Sequence, residues 1–144
     1  MKEDITVEEG YYISLIFFSE LWPLVEPNVQ ESEEMKAANM LFFCVVTIGE
    51  EASSEWKEAI FRAKEITSDK LREAKLSESD LFLCAIEFCK LHNERWEGNL
   101  NYTLNLLESM RTNPENHPKE WAVWKTAMTL VIINKMSCGH FDWW

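Results

Sequence analysis

Histidine and cysteine are the residues of this chain best suited to metal binding. Cys89 and His92 are three residues apart and share one face of a predicted helix, and Cys138 and His140 are two apart. Cys84 and Cys89 are five residues apart, which is too long for a zinc knuckle and places them on different helix faces. The pattern therefore predicts no metal site, a buried and hydrogen-bonded His92, and cysteines that act as small apolar side chains.

Motifs for catalysis are also missing from the sequence. It has no Gly-x-Ser-x-Gly elbow, no phosphate-binding loop and no Glu-x-x-His pair, and its four Gly leave no Gly-rich phosphate cradle. Neighbouring carboxylates on a solvated helix are not an acid–base pair, because catalysis needs a cleft that shifts their pKa values. We therefore expect no enzymatic activity, no catalytic residue and no cofactor. An enzyme with an unrecognised active site is less favoured than a binding protein or a helical adaptor.

Charge is distributed very unevenly along the chain. Residues 1–55 hold 12 acidic side chains and two basic ones, Lys2 and Lys36, whereas residues 56–144 hold 13 acidic and 12 basic side chains. Nearly all of the formal net charge of −11 therefore lies in the first part of the sequence. A surface of one sign attracts partners of the other sign and repels nucleic acid and anionic membrane. The pattern predicts a basic protein partner, not a nucleic acid or a membrane.

The acidic residues are expected to gather at the two ends of a hairpin formed by the first two helices. One group is Glu3, Asp4, Glu8, Glu9, Glu50, Glu51 and Glu55, and the other is Glu20, Glu26, Glu31, Glu33 and Glu34. Some of these carboxylates lie in first turns of helices and are explained by the helix dipole alone: Glu8, Glu9, Glu33, Glu34 and Glu55. The other carboxylates, and the scarcity of Lys and Arg beside them, favour a surface that meets a cationic partner.

Aromatic residues are abundant, with seven Trp and eight Phe, which fits a dense core, an interface, or both. Trp22 and Trp56 stand beside the acidic groups and are the predicted interface aromatics. The full set of predicted partner-binding residues is Glu8, Glu9, Glu26, Glu31, Glu33, Glu34, Glu50, Glu51, Glu55, Trp22 and Trp56. The terminal residues 141–144 are expected to pack back on the core, with an exposed anchor as the alternative.

Helix signals predict an all-α fold, one compact domain over residues 1–144 with about six helices, of which the second and sixth are central. Five of the predicted helices span about residues 7–22, 33–48, 78–97, 100–110 and 118–136. The third helix in chain order begins at 53 or 54 and continues, with a kink near 67–68, to 74. A capping box of Thr6 and Glu9 begins the first helix, and Pro23 is expected to end it. The apolar run at 41–48 is taken as helix, with a buried strand left open.

Composition places the chain among globular proteins, with 47% hydrophobic and 27% charged residues. The acidic start, Met-Lys-Glu-Asp, does not resemble a targeting signal, and the longest apolar run, Leu41 to Val46, is far too short to span a membrane. We expect a cytoplasmic protein with reduced cysteines.

These observations predict a small acidic binding protein that neutralises a basic partner. Nuclease clefts are rich in Lys and Arg because they hold phosphate backbones, so a carboxylate surface with aromatic anchors suits their inhibitor. No motif identifies a family, and in general character the chain is similar to the immunity proteins that bacteria make against their own toxins. A mimic of nucleic acid that inhibits nucleases is a close variant. The alternative is a non-enzymatic helical adaptor that binds a peptide or protein segment in a groove between helices.

Overall fold

Helices make up most of the chain in the computed structural model, which describes residues 4–29, 33–48, 52–95, 97–137 and 141, and only the backbone for 41 and 44–48. The α-helices of the described part are α1 (Val7–Val25), α2 (Glu33–Ile48), α3 (Ala52–Lys64), α4 (Glu78–Arg95), α5 (Asn101–Thr112) and α6 (Pro118–Ile132). Three 3₁₀ segments lie at Glu26–Asn28, Ser68–Glu73 and Pro114–Asn116. The predicted all-α class is confirmed.

Local sequence signals fix several helix ends as expected. At the start of α1, the Glu9 N–H donates to Thr6 Oγ1 and the Thr6 N–H donates to Glu9 Oε1, both at 3.0 Å, so the capping box is present. At the start of α4, the Asp80 N–H donates to Ser77 Oγ at 3.1 Å. The predicted caps of α2, at 32 and 49, lie outside the described residues. Residues 41–48 are helical, so the strand alternative is wrong.

Three helix boundaries differ from the prediction. Helix α1 runs past Pro23 to Val25, because Val25 is fully buried and draws the last turn onto the core. Helix α3 ends at Lys64, where Glu65 takes a left-handed φ of 53°, and a 3₁₀ segment replaces the predicted kinked extension. Helix α6 ends at Ile132 instead of near 136, and Lys135 with φ 58° turns the chain away.

A two-residue strand pair ties the start of the chain to the segment between α3 and α4. Strand β1 (Ile5–Thr6) pairs antiparallel with β2 (Lys75–Leu76), with Ile5 opposite Leu76 and Thr6 opposite Lys75. Ile5 and Leu76 are both fully buried. Two residues are too few for an alternating pattern, so no sequence signal marked these strands.

Helix α1 is the element buried along most of its length, with 11 of its 19 residues in the core. It packs on α6 through Phe17, whose ring lies 5.0 Å from that of Trp124, and on α2 through Phe18, 5.0 Å from Phe42. The predicted central position of α2 and α6 is not confirmed. Helix α6 buries Trp124, Ala127 and Val131 and leaves most of its other residues partly or fully exposed.

Helices α3 and α4 pack against each other beside this layer, with the rings of Trp56 and Phe88 5.7 Å apart. The buried Asn39 of α2 donates to the backbone carbonyl of Asn99 at 3.0 Å and accepts a hydrogen bond from the hydroxyl of Thr103 on α5. These contacts bring the hairpin of α1 and α2 and the later helices into one core.

Candidate binding surface

The connection between α1 and α2 carries the exposed acidic residues. The rings of Trp22 and Phe43 are 5.0 Å apart, and Phe18 contacts both Phe42 and Phe43, so the last turns of α1 pack against the second half of α2. The antiparallel course of the two helices stays a prediction. Acidic residues occur in the last two turns of α1, in the 3₁₀ segment that follows it and in the first turn of α2. The residues from these turns form what we call the α1–α2 acidic surface, which consists of Glu20, Glu26, Glu33, Glu34 and Trp22. Glu31 lies outside the described residues.

The carboxylates of this surface have no cationic partners among the residues that the structure describes. Glu20, Glu33 and Glu34 are exposed, Glu26 is partly exposed, and none of the four forms an ion pair with another described residue. Helix α1 contains no Lys or Arg at all. Like charges placed close together repel one another, and Lys36 of α2 is the basic residue nearest to them in the sequence.

Carboxylates of the later helices are arranged differently. Most of those on α3, α4 and α5 lie in ion pairs with Lys, Arg or His: Glu55, Glu58, Asp80, Glu87, Glu94 and Glu108. The shortest of these pairs joins Lys64 Nζ to Asp80 Oδ2 at 2.8 Å, and the Lys64 ammonium lowers the pKa of Asp80. Most carboxylates of these α-helices are therefore ion-paired, whereas those of the α1–α2 acidic surface, and Asp69 and Glu73 of the 3₁₀ segment after α3, form no ion pair with a described residue.

Apolar side chains stand among the acidic ones. Trp22 is partly exposed against Phe43, and Met40 is 44% exposed. Glu33, Ala37 and Met40 recur at helical spacing on the solvent-facing side of α2. The surface thus combines negative charge with some accessible apolar area.

The other predicted acidic group, which includes Glu8, Glu9 and Glu55, lies only partly within the described residues. Glu9 is held in the capping box, and Glu8 accepts a hydrogen bond from the Tyr12 hydroxyl at 3.2 Å. Glu50 and Glu51 lie outside the described residues. Glu55 was expected to be exposed, and this is wrong, because its side chain is only 13% exposed and points toward α4.

The largely buried Glu55 contacts the buried His92 and the half-exposed Arg95. Its carboxylate lies 3.0 Å from His92 Nε2 and 3.1 Å from Arg95 Nη2. His92 is 1% exposed between the rings of Phe42 and Phe88. Its burial is as predicted, but neither ring nitrogen makes an aligned hydrogen bond with a described residue. Burial, with a contribution from the Arg95 charge, lowers the pKa of His92 to about 4, so the ring is neutral near pH 7.

Trp56 was predicted to be an interface aromatic, and its placement contradicts that role. It is fully buried, and its indole N–H donates to the backbone carbonyl of Val7 at 3.0 Å. Helical spacing already put Trp56 on the same stripe as Ala59 and Ile60, which are also buried. The helical spacing of these apolar residues indicates the burial of Trp56, whereas the acidic residues beside it in the sequence do not.

An arrangement that the sequence did not indicate joins α5 to the start of α6. Ser109 Oγ lies 2.7 Å from His117 Nε2, and His117 Nδ1 lies 3.7 Å from Glu120 Oε1. The order is that of a nucleophile, a base and an acid, but Ser109 sits within helix α5 and neither it nor His117 lines the adjacent clefts. The contact instead fixes the turn between the two helices.

The two cysteine side chains that the structure describes are poorly reactive, because their thiols stay protonated. Cys84 and Cys89 are free and buried, and burial raises the pKa of both thiols, that of Cys84 to about 12. Cys44 and Cys138 have side chains outside the described part. No group of three or more His, Cys, Asp or Glu side chains in the described ranges is placed to hold a metal ion.

Comparison of the chain with protein-family models, with curated proteins and with solved structures finds no significant match. In the described ranges, every helix is too short or too polar to cross a membrane. The function is therefore argued from the surface itself.

Proposed function

We propose that this chain is a small acidic binding protein that neutralises a basic partner, as an immunity-type inhibitor of a toxin nuclease does. The observation that carries the proposal is the unpaired state of the α1–α2 acidic surface on a molecule whose other helices pair most of their carboxylates. Unpaired, exposed carboxylates speed the encounter with a cationic surface and keep their full charge for it.

The nature of the partner follows from the same chemistry. An enzyme that binds nucleic acid lines its cleft with Lys and Arg, and such a cleft is complementary to the α1–α2 acidic surface. Trp22 and Met40 supply the apolar contacts that keep a complex together after encounter. The protein acts in this proposal without enzymatic activity and in the same cytoplasm as its toxin.

The experiment compares two charge-reversed double variants that change the net charge equally. Glu33→Lys with Glu34→Lys alters the α1–α2 acidic surface. Asp69→Lys with Glu73→Lys alters exposed residues of the 3₁₀ segment after α3, which form no ion pair with a described residue. The partner is isolated from the host on the immobilised wild-type chain and tested for nuclease activity. Association rates are then measured by stopped flow between about 50 and 500 mM salt, a range that shortens the Debye length severalfold.

We expect the wild-type association rate to fall by about tenfold or more across this range, because electrostatic steering is screened by salt. The α1–α2 double variant should associate about tenfold more slowly than the control double variant at low salt. A rate that does not depend on salt, or equal rates for the two double variants, would refute the proposal. A captured partner whose activity is unchanged by the chain would refute the inhibitor role.

The adaptor alternative is favoured by one specific observation, a cleft between α4, α5 and α6. That cleft lies in the part of the chain with balanced charge.

A further inference from the structure

Two adjoining clefts open on either side of Trp121, at the junction of α4, α5 and α6. Both are bordered by Trp121 and Pro114, and their volumes are about 400 and 540 Å³. The first is also lined by Ser79, Phe82, Leu83, Met110 and Arg111, and the second by Glu115, Pro118, Ala122 and Lys125. Their linings are mainly apolar, with a few polar groups at the edges, as in sites that bind organic ligands or peptides.

Several contacts fix the walls of these clefts. The Trp121 indole N–H donates to the backbone carbonyl of Met110 at 3.1 Å, and its ring lies 4.8 Å from that of Phe82. The contact between Ser109 and His117 at 2.7 Å holds the turn that carries Pro114. A site whose walls are already fixed loses little conformational entropy when it is filled.

The cleft carries two cationic side chains on a strongly acidic molecule. Arg111 and Lys125 line it against the single carboxylate of Glu115, on a chain with a net charge of −11. Arg111 shares its charge with Glu108 at 3.1 Å. Lys125 is exposed and forms no ion pair with a described residue, so its charge is free to meet an anion.

We propose that this paired cleft binds an extended peptide segment in which two alternate apolar side chains are flanked by carboxylates on the same face of the segment. Alternate side chains of an extended peptide point to the same side, so two of them can enter the compartments on either side of Trp121. The carboxylates of the segment pair with Lys125 and Arg111. This site uses different residues from the α1–α2 acidic surface and takes a partner of opposite charge, so it stands or falls independently of the proposed function.

The test uses two capped peptides with the same apolar residues, acetyl-Asp-Ser-Leu-Ser-Leu-Ser-Asp-amide and acetyl-Lys-Ser-Leu-Ser-Leu-Ser-Lys-amide, in which the charged and apolar residues share one face of the extended chain. Binding to the full ¹⁵N-labelled chain is followed by NMR at the indole N–H of Trp121, which is identified by its absence from Trp121→Phe. We expect the acidic peptide to shift this resonance with saturation and the basic peptide to bind at least about tenfold more weakly, since like charges meet at Lys125.

Two lysines of α6 provide a matched pair of variants. Lys125→Gln removes the free cation of the cleft and should weaken the acidic peptide about three- to tenfold, as expected for one exposed ion pair. Lys119→Gln removes an exposed cation from the same helix that lines neither compartment, and it should leave the affinity unchanged. An unshifted Trp121 resonance, equal binding of both peptides, or equal effects of the two lysine variants would overturn the proposal.

Discussion

The indole N–H of Trp56 donates a hydrogen bond of 3.0 Å to the backbone carbonyl of Val7, in the first turn of α1. The contact joins residues 49 positions apart and is fully buried. It fixes the start of α3 against the start of α1, and it removes Trp56 from the set of residues that a partner can reach.

Trp56→Phe tests this structural role. The substitution removes the donor and leaves the Val7 carbonyl buried without it, which should lower the free energy of unfolding by about 1–3 kcal/mol. Trp22→Phe, at a partly exposed position, should cost less than about 1 kcal/mol. Urea denaturation followed by circular dichroism measures both. A larger loss for Trp22→Phe than for Trp56→Phe would contradict the placement of these two side chains.

Reversal of the Glu55 charge should disrupt the fold, unlike reversal on the α1–α2 acidic surface. A lysine at this position would face Arg95 and His92 with only 13% exposure, and we expect Glu55→Lys to destabilise the protein by about 3 kcal/mol or more. Glu33→Lys relieves repulsion but opposes the helix dipole in the exposed first turn of α2, and it should change stability by less than about 1 kcal/mol. Thermal unfolding at matched concentration separates the two outcomes, and equal shifts in Tm would count against these contacts of Glu55.

Acid should destabilise the protein through His92. The ring ionises near pH 6.5 when unfolded, but burial lowers its pKa to about 4 in the fold, with Glu55 and Arg95 as the charged groups beside it. Between these values the unfolded chain binds more protons, so stability falls as the pH drops from about 6.5 to about 4 and is unaffected by this group above 6.5. The full difference corresponds to about 3 kcal/mol.

His92→Gln removes this titration. The stability of the variant, measured by urea denaturation at several pH values, should decline less steeply than that of the wild type between about pH 6.5 and 4. Parallel pH profiles for the two proteins would show that His92 is not held neutral by its surroundings.

Gly10 marks the closest approach of α1 to its neighbours. A Cβ added here would lie 2.7 Å from Leu81 Cδ1 and 3.1 Å from Trp56 Cζ2. Overpacking costs about 1–3 kcal/mol, which exceeds the gain of about 1 kcal/mol that Ala gives in a helix. We expect Gly10→Ala to lower stability by about 1–2 kcal/mol in calorimetry or urea denaturation. A stabilised variant would mean that the helices separate there more easily than these distances imply.

Local signals in the sequence predicted the helices well. The Thr6 capping box, Ser77 and the apolar stripes specify α1, α3 and α4 because each depends on residues within one or two turns. The strand pair of Ile5 with Leu76 and the overrun of α1 past Pro23 depend on tertiary packing, which no short window of sequence contains.

The candidate surface was predictable only in part. The charge asymmetry of the sequence indicated the carboxylates of the α1–α2 acidic surface, because charged side chains on an exposed helix face need no contact with a distant helix. It also suggested Glu55, whose role depends on Arg95 of a distant helix. The cleft at Trp121 depends on the turn between α5 and α6, whose geometry is set by the contact of Ser109 with His117.

The burial of α1 has a consequence for synthesis on the ribosome. Phe17 is covered by Trp124 of α6, so α1 is completed by a helix that is synthesised much later. Until residues near 124 leave the exit tunnel, an aromatic surface of α1 is open to water, and folding of this layer must wait for α6. A nascent chain arrested before α6 is therefore expected to recruit chaperones that recognise apolar segments.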